Sequence, residues 1–96
     1  MKVNKKFRKP DATEKKALQD LAEQISKMSP SLQPEEMQTI VYSVGKIHYS
    51  KERLREWFKM IYEVLFGDEQ GPRMGSFISF YGIKETVNLI NKSIND

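Results

Sequence analysis

Residues 66–82 read FGDEQGPRMGSFISFYG, a glycine-rich turn between two apolar helical patterns. Three of the five glycines and one proline fall within residues 67–76. Glycine adopts backbone conformations that other residues avoid and allows a neighbour to approach closely, and proline is favoured at the start of a helix. The turn therefore predicts that one helix ends at Gly67 and that a short helix follows, with Arg73 near its N-terminus.

Apolar residues recur at helical spacing on both sides of this turn. A capping-box pattern at Asp11 and Glu14 opens the first stripe, Pro34 opens the second, and Ser50 is a candidate N-cap for the third. No useful stretch alternates with the period of a strand. The sequence therefore predicts an all-α fold, a compact bundle of about five helices. One helix is expected to begin at residue 34, and the other four are expected at about residues 12–28, 51–66, 73–81 and 84–94.

Two residues predict where the bundle is packed most closely. Gly45 lies inside the second helical pattern, where glycine costs about 1 kcal/mol relative to alanine, so we expect a close helix contact there. The third pattern has a wide apolar arc that includes Trp57. A helix with such an arc is typically buried, so we expect it to be central.

Composition restricts the class of protein. Ninety-six residues, 39% apolar and 30% charged, are typical of one soluble globular domain. There is no cysteine, so a disulfide and a thiolate zinc site are excluded. No apolar run approaches the roughly 18 residues that a membrane span requires, and no secretory signal follows the N-terminal lysines. We expect a cytoplasmic monomer that binds neither a membrane nor a metal ion.

The positive charge is concentrated at one end of the chain. Residues 1–16 hold seven basic and two acidic residues, whereas residues 17–96 hold nine basic and eleven acidic ones. We interpret residues 1–10 as a flexible basic arm and residues 11–96 as a single helical domain. A basic arm suits a nucleic-acid partner. A solvated linker is the alternative interpretation of the same charges.

Three segments carry a resemblance to a known family: EWFKMIYEVLFG at 56–67, GPRMGSF at 71–77 and YGI at 81–83. They resemble the C-terminal end of class I lysyl-tRNA synthetases, which has an aromatic-rich helix, an acidic loop, Gly-Pro-Arg-x-Gly and a short helix pair. The resemblance extends from about residue 9 to residue 90. It implies an anticodon-binding helical cage, similar to that of glutamyl-tRNA synthetases, that binds the anticodon loop of lysine tRNA.

Arg73, within the Gly-Pro-Arg-x-Gly string, is the leading candidate for RNA contact. Its guanidinium group can bind a phosphate bidentately or stack on a base. We expect polar groups of Gln70 and Ser76 to add contacts. In the alternative interpretation, Arg73 binds the carboxylates of Asp68 or Glu69, or caps a neighbouring helix.

A basic stripe is the second candidate, since Lys51, Arg55 and Lys59 recur every four residues on the third helix. Like charges at this spacing repel, which favours an anionic partner such as RNA phosphates. The alternative is that the stripe is neutralised by acidic residues at helical spacing, namely Glu52, Glu56 and Glu63.

Aromatic residues near turns could stack on unpaired bases. Tyr49, which we expect near an exposed helix junction, is one candidate. One of Phe77, Phe80 and Tyr81, close to the glycine turn, is the other. Most remaining aromatic residues fall on apolar stripes and are expected in the core.

Catalysis finds little support in the sequence. The single histidine, His48, lies at a predicted helix junction, where a structural role is far commoner than a catalytic one. The tripeptide at 27–29, KMS, is part of the ATP-binding loop motif of class I synthetases, but here it continues as PS, and Met28 completes an apolar stripe. We expect no cofactor for this chain; the resemblance places ATP in the catalytic domain of the full-length enzyme.

Two other functions stay open. The near-neutral body also suits a protein–protein interaction module, in which the glycine turn would be an architectural corner. Binding of duplex DNA would require a strongly basic recognition helix, and no predicted helix has one.

Overall fold

Five α-helices make up the structure, a computed structural model that describes residues 8–95. Its α-helices, joined by short loops and one 3-10 turn at Lys51–Arg53, are α1 Ala12–Ser26, α2 Pro34–Tyr49, α3 Leu54–Phe66, α4 Met74–Tyr81 and α5 Ile83–Asn95. No strand occurs between residues 8 and 95. The predicted all-α bundle of five helices is therefore confirmed.

The helix boundaries follow from local hydrogen bonds. At the start of α1, the Glu14 backbone N–H donates to Asp11 Oδ1 at 2.8 Å, and the Asp11 N–H donates to Glu14 Oε1 at 2.9 Å. This pair is the predicted capping box. At the end of α3, Gly67 has a left-handed φ of 72°. Glycine adopts this conformation without steric cost, which confirms the predicted end of the helix.

The expected capping role of Ser50 was wrong. It stands at the N-cap position of the 3-10 turn, but its side chain makes no capping hydrogen bond. A capping serine normally has an extended backbone that turns its hydroxyl toward the first free N–H groups. Ser50 has a φ of 70°, so its side chain points in a different direction. The third helix was expected to begin directly after Ser50, whereas α3 begins at Leu54 with Arg53 at its N-cap, so both the position and the capping role were wrong.

Trp57 on α3 lies at the centre of the core. Its side chain is fully buried, and Nε1 donates a hydrogen bond to the carbonyl oxygen of Val41 at 3.1 Å. The indole ring lies against Gly45, where a Cβ atom would overlap it. The close contact expected at Gly45 and the central place of the third helix are both confirmed.

Gly75 fixes α4 against the start of α2. A Cβ atom at this position would overlap the carbonyl oxygen of Pro34 and the backbone of Gln38. The Gly75 N–H, which has no partner within its own helix, donates to Gln38 Oε1 at 2.7 Å. The second glycine of the Gly-Pro-Arg-x-Gly string therefore serves helix packing.

The parts of the chain near the termini are described only in part. Residues 1–7 of the predicted basic arm lie outside the described residues. Arg8 lies within them, and its backbone N–H donates to the carbonyl oxygen of Glu63 at 3.2 Å. Pro10 is buried. Within residues 8–95, no helix has the length and apolar character needed to cross a membrane.

Replacing Gly75 by alanine should destabilise the protein. The added methyl group meets backbone atoms of α2, which cannot rotate away as a side chain would, so we expect a loss of about 1–3 kcal/mol. The exposed neighbour Ser76 is the matched control, because Ser76→Ala should change stability by less than about 0.5 kcal/mol. Urea unfolding followed by circular dichroism measures both variants, and equal midpoints would contradict the close α2–α4 contact.

Candidate nucleic-acid interface

Arg73 occupies the last position before α4, where its backbone is extended and its side chain is exposed. Among the described residues it forms no ion pair. Neither Asp68 nor Glu69 forms an ion pair with it. Asp68 Oδ1 instead accepts a hydrogen bond from the backbone N–H of Glu69 at 2.7 Å. The guanidinium group of Arg73 is thus available to a ligand.

A shallow depression of about 370 Å³ lies beside Arg73, lined also by Ser76 and by Gln33, Pro34 and Glu35. Ser76 is exposed and lines the depression together with Arg73. Glu35 was not predicted, and its carboxylate lowers the positive potential of the depression. Nothing local in the sequence signals it, since α2 and α4 meet only in the folded chain.

The outward side of α4 carries an aromatic ring. Phe80 is 91% exposed, and it follows Arg73 and Ser76 by seven and four residues, so that the three lie on one side of the helix. We call Arg73, Ser76 and Phe80 the outer face of α4. On the opposite side of α4, Met74 and Ile78 are buried.

The other two aromatic candidates are less available than Phe80. Phe77 is half-buried, with its ring stacked on Tyr81 at a centroid distance of 4.8 Å. Its ring also meets Phe66 of α3 edge-on at 4.9 Å. Tyr81 is 44% exposed, about half as much as Phe80. The contact between Phe66 and Phe77 joins α4 to α3.

Gln70 lies in the loop that leads to α4. It is exposed, and its backbone N–H donates to Asp68 Oδ1 at 3.5 Å. The next residue, Gly71, lies against Tyr62, where a Cβ atom would come within 2.7 Å of the ring atom Cδ1. Burial raises the pKa of Tyr62. The first glycine of the string thus keeps the loop close to α3.

Of the predicted basic stripe, Arg55 and Lys59 lie on α3, whereas Lys51 lies in the 3-10 turn before it; all three are exposed. Within the part of the chain that the structure describes, none of them forms an ion pair. Two of the carboxylates expected to neutralise the stripe have other partners. Glu56 binds Arg53 Nη2 at 2.8 Å, and Glu63 binds Arg8 Nε at 3.0 Å.

The electrostatics of Glu56 and Arg8 are consistent with these pairs. The hydrogen bond from Arg53 lowers the pKa of Glu56, and the positive charges of Arg53 and Lys59 act in the same direction. The hydrogen bonds to Glu14 and Glu63 raise the pKa of Arg8. Glu56 and Glu63 are thus both bound by arginines outside the stripe.

The stripe and the outer face of α4 are separate surfaces. Gly75 of α4 contacts the start of α2, whereas Lys51 follows its end. These two points are roughly 24 Å apart along a helix of 16 residues. One side of α3 extends from the stripe to α4. Arg55, Lys59 and Phe66 lie on this side at helical spacing, and the ring of Phe66 contacts Phe77 of α4.

The expected exposure of Tyr49 was wrong. The residue is buried, with 8% of its surface accessible. The 3-10 turn folds back, with the Arg53 N–H bound to the Ser50 carbonyl. In this arrangement the Arg53 guanidinium lies 5.2 Å from the centroid of the Tyr49 ring. The centroid of the Trp57 ring lies 5.5 Å from the same point. Burial raises the pKa of Tyr49. No face of the ring is left for a base.

His48 has a structural partner. Its Nε2 lies 2.9 Å from Asp20 Oδ2, a contact that joins α2 to α1. Met28 of the KMS tripeptide is buried, as its apolar stripe predicts. Among residues 8–95, no three or more histidine and carboxylate side chains are grouped as a metal site would require.

The fold and this surface define a small helical domain with an exposed cationic and aromatic side, and comparisons with known proteins narrow the class. The chain is 40% identical over 94 residues to a lysine--tRNA ligase of Roseobacter denitrificans, covering 98% of the chain and 18% of that protein. It is 40% identical over 91 residues to that of Rickettsia felis, covering 94% and 17%. It is 36% identical over 95 residues to that of Rickettsia bellii, covering 98% and 18%.

The chain thus spans less than a fifth of the length of these relatives. No protein-family model matches it, and no solved structure matches it significantly. Nearly the whole chain is therefore homologous to one segment of lysine--tRNA ligases.

The two kinds of arginine in this structure should differ in their effect on stability. Arg73 has no partner among the described residues, so Arg73→Ala should leave the melting temperature unchanged. Arg8 binds Glu14 at 2.8 Å and Glu63 at 3.0 Å, so Arg8→Ala should cost about 1 kcal/mol, as typical for exposed ion pairs. Thermal unfolding of both variants checks this, and a destabilised Arg73→Ala protein would reveal a structural role for Arg73.

Proposed function

We propose that this chain is the anticodon-binding domain of a class I lysyl-tRNA synthetase and that it binds the anticodon loop of lysine tRNA. The observation that carries the proposal is that Arg73, at the N-cap of α4, and the three cations of the stripe are exposed and form no ion pair among the described residues. The homology to lysine--tRNA ligases supports RNA as the anionic partner.

Each part of the surface has a distinct role in this proposal. Proteins read RNA sequence mainly from unpaired loop bases, whereas phosphate contacts position the nucleic acid. Arg73 binds a loop phosphate or base edge, with Gln70 and Ser76 as additional polar contacts. Lys51, Arg55 and Lys59, a helix length away, bind phosphates. Tyr49 takes no part, since its ring is buried.

The proposal extends to the full-length enzyme. Residues 11–96 form the RNA-binding domain, and the lysines of residues 1–10 add non-specific attraction to phosphates, whereas Arg8 is bound by Glu14 and Glu63. The parent enzyme is a cytoplasmic ligase that uses ATP to join lysine to its tRNA, with ATP bound in a separate catalytic domain. The 96-residue chain is a monomer without cofactor or metal ion, and it contributes recognition rather than chemistry.

A protein–protein interaction module is the second candidate. One specific observation favours it: Gly71 and Gly75 are both required by packing, as an architectural corner would be. Salt separates the two functions, because phosphate binding weakens steeply as salt rises. A partner protein held mainly by apolar contacts would not show this dependence.

Arg73→Ala should weaken binding to a stem–loop RNA that carries the lysine anticodon. A charge-assisted hydrogen bond contributes about 1.5–3 kcal/mol, so we expect a loss of tenfold or more, measured by fluorescence anisotropy. Lys92→Ala is the matched control, because Lys92 is an exposed cation near the end of α5 that forms no ion pair among the described residues. The control should bind as tightly as the wild type.

Chemical-shift mapping with the lysine stem–loop and with a control loop shows where the RNA binds. We expect shifts in residues 67–77 and at the stripe, with a preference for the lysine loop. Shifts confined to residues 1–16, equal for both RNAs and abolished by modest salt, would contradict the proposal and favour the protein-interaction module.

The purified chain should show no lysine-dependent ATP–pyrophosphate exchange. The KMS tripeptide at 27–29, which resembles part of the ATP-binding loop of class I synthetases, continues as PS, and Met28 is buried in the core. The established exchange assay measures this directly, with a complete lysine--tRNA ligase as positive control. Exchange above background by the isolated chain would overturn its assignment as a non-catalytic domain.

A further inference from the structure

Phe80 is unusual among the apolar side chains of this protein because it is 91% exposed. The next most exposed large apolar residue, Ile47 on α2, is 73% exposed. An aromatic ring that leaves water on binding contributes a large apolar area and a flat face for stacking. Such a ring on a rigid helix marks a contact surface.

The surroundings of Phe80 indicate the chemistry of its partner. The α4 sequence, MGSFISFY, contains no acidic residue, so nothing on this helix repels an anion, and Glu35 of α2 is the one carboxylate that lines the depression beside Arg73. Arg73 lies seven residues before Phe80, about 10 Å along the helix axis. The side chain between them, Ser76, is a small hydrogen-bonding group. A flat apolar ring and a cation in one row are complementary to a base and a phosphate.

The platform is held in a fixed position. Gly75 anchors α4 on α2, and Phe77 is packed between Phe66 and Tyr81. A ring carried on such a support needs no ordering of the backbone when a base stacks on it, and a pre-organised site binds more tightly than a flexible one.

We propose that Phe80 is a stacking platform for an unpaired base, and that the outer face of α4 therefore binds single-stranded loop nucleotides rather than duplex RNA. This inference rests on the proposed RNA-binding function and adds the class of nucleotide to it. In a duplex both faces of each base are covered by neighbouring bases, so the Phe80 ring has nothing to stack on. In a loop the bases are splayed out and accessible.

The test compares two RNAs and four variants. The probes are a stem–loop with the lysine anticodon and a blunt duplex with the same number of phosphates. Phe80→Ala should weaken stem–loop binding by about fivefold to a hundredfold, the range for loss of one stacked base, and should leave duplex binding unchanged. Phe80→Tyr should restore stem–loop binding, whereas Phe80→Leu, apolar without a π face, should not. Ile47→Ala, at the other highly exposed apolar residue, should bind like the wild type.

A fluorescent base gives a direct readout of stacking. Stem–loops with 2-aminopurine at one loop position at a time should include at least one whose fluorescence changes on binding the wild type and not on binding Phe80→Ala. Melting temperatures should be equal for all variants, because the ring is exposed.

Each outcome decides between the two claims. If the wild type prefers the stem–loop and Phe80→Ala binds as the wild type does, the RNA-binding function stands and the stacking inference is wrong; Phe80 then belongs to a protein contact. Equal loss of stem–loop and duplex binding in Phe80→Ala would also overturn stacking. If the wild type binds neither RNA, the proposed function and the inference both fail.

Discussion

The close contact between α4 and the first turn of α2 is the constraint on which the rest of the surface depends. At Gly75 the two helices are too close for any side chain, and Gln38 satisfies the helix N–H that the approach would otherwise bury without a partner. Eight residues are too few for a helix to be stable alone in water. The position of Arg73 and of Phe80 is therefore a property of this contact.

Competition among charges leaves the cationic side of α3 available. Glu56 and Glu63 lie at helical spacing from the stripe cations, yet each binds an arginine from outside the stripe, Arg53 or Arg8. Arginine binds a carboxylate more effectively than lysine because its donors are planar and paired. Lys59, at helical spacing from both carboxylates, forms an ion pair with neither. The positive charge of this side of α3 thus depends on the ion pairs that Glu56 and Glu63 form with arginines outside the stripe.

The sequence predicted the helices well and the surface less completely, for physical reasons. Helix periods, the capping box at Asp11 and the left-handed end at Gly67 depend on neighbours within four residues, so they can be derived from the chain alone. The burial of Tyr49 depends on a fold-back of the next turn, which helical spacing does not encode. The pair between Arg8 and Glu63 joins residues 55 positions apart, and no local pattern predicts it. Exposure singled out Phe80 among three equal candidates.

Because α4 forms only while it is held against α2, its opening is an equilibrium of its own. Any ligand that binds the outer face of α4 binds the closed state alone, so its binding free energy is added to the free energy of opening. Hydrogen exchange of the Gly75 amide reports that opening. The contact at Gly75 and the ligand site are then thermodynamically linked, and a buried substitution at that contact lowers affinity, without touching the ligand, once the open state is appreciably populated.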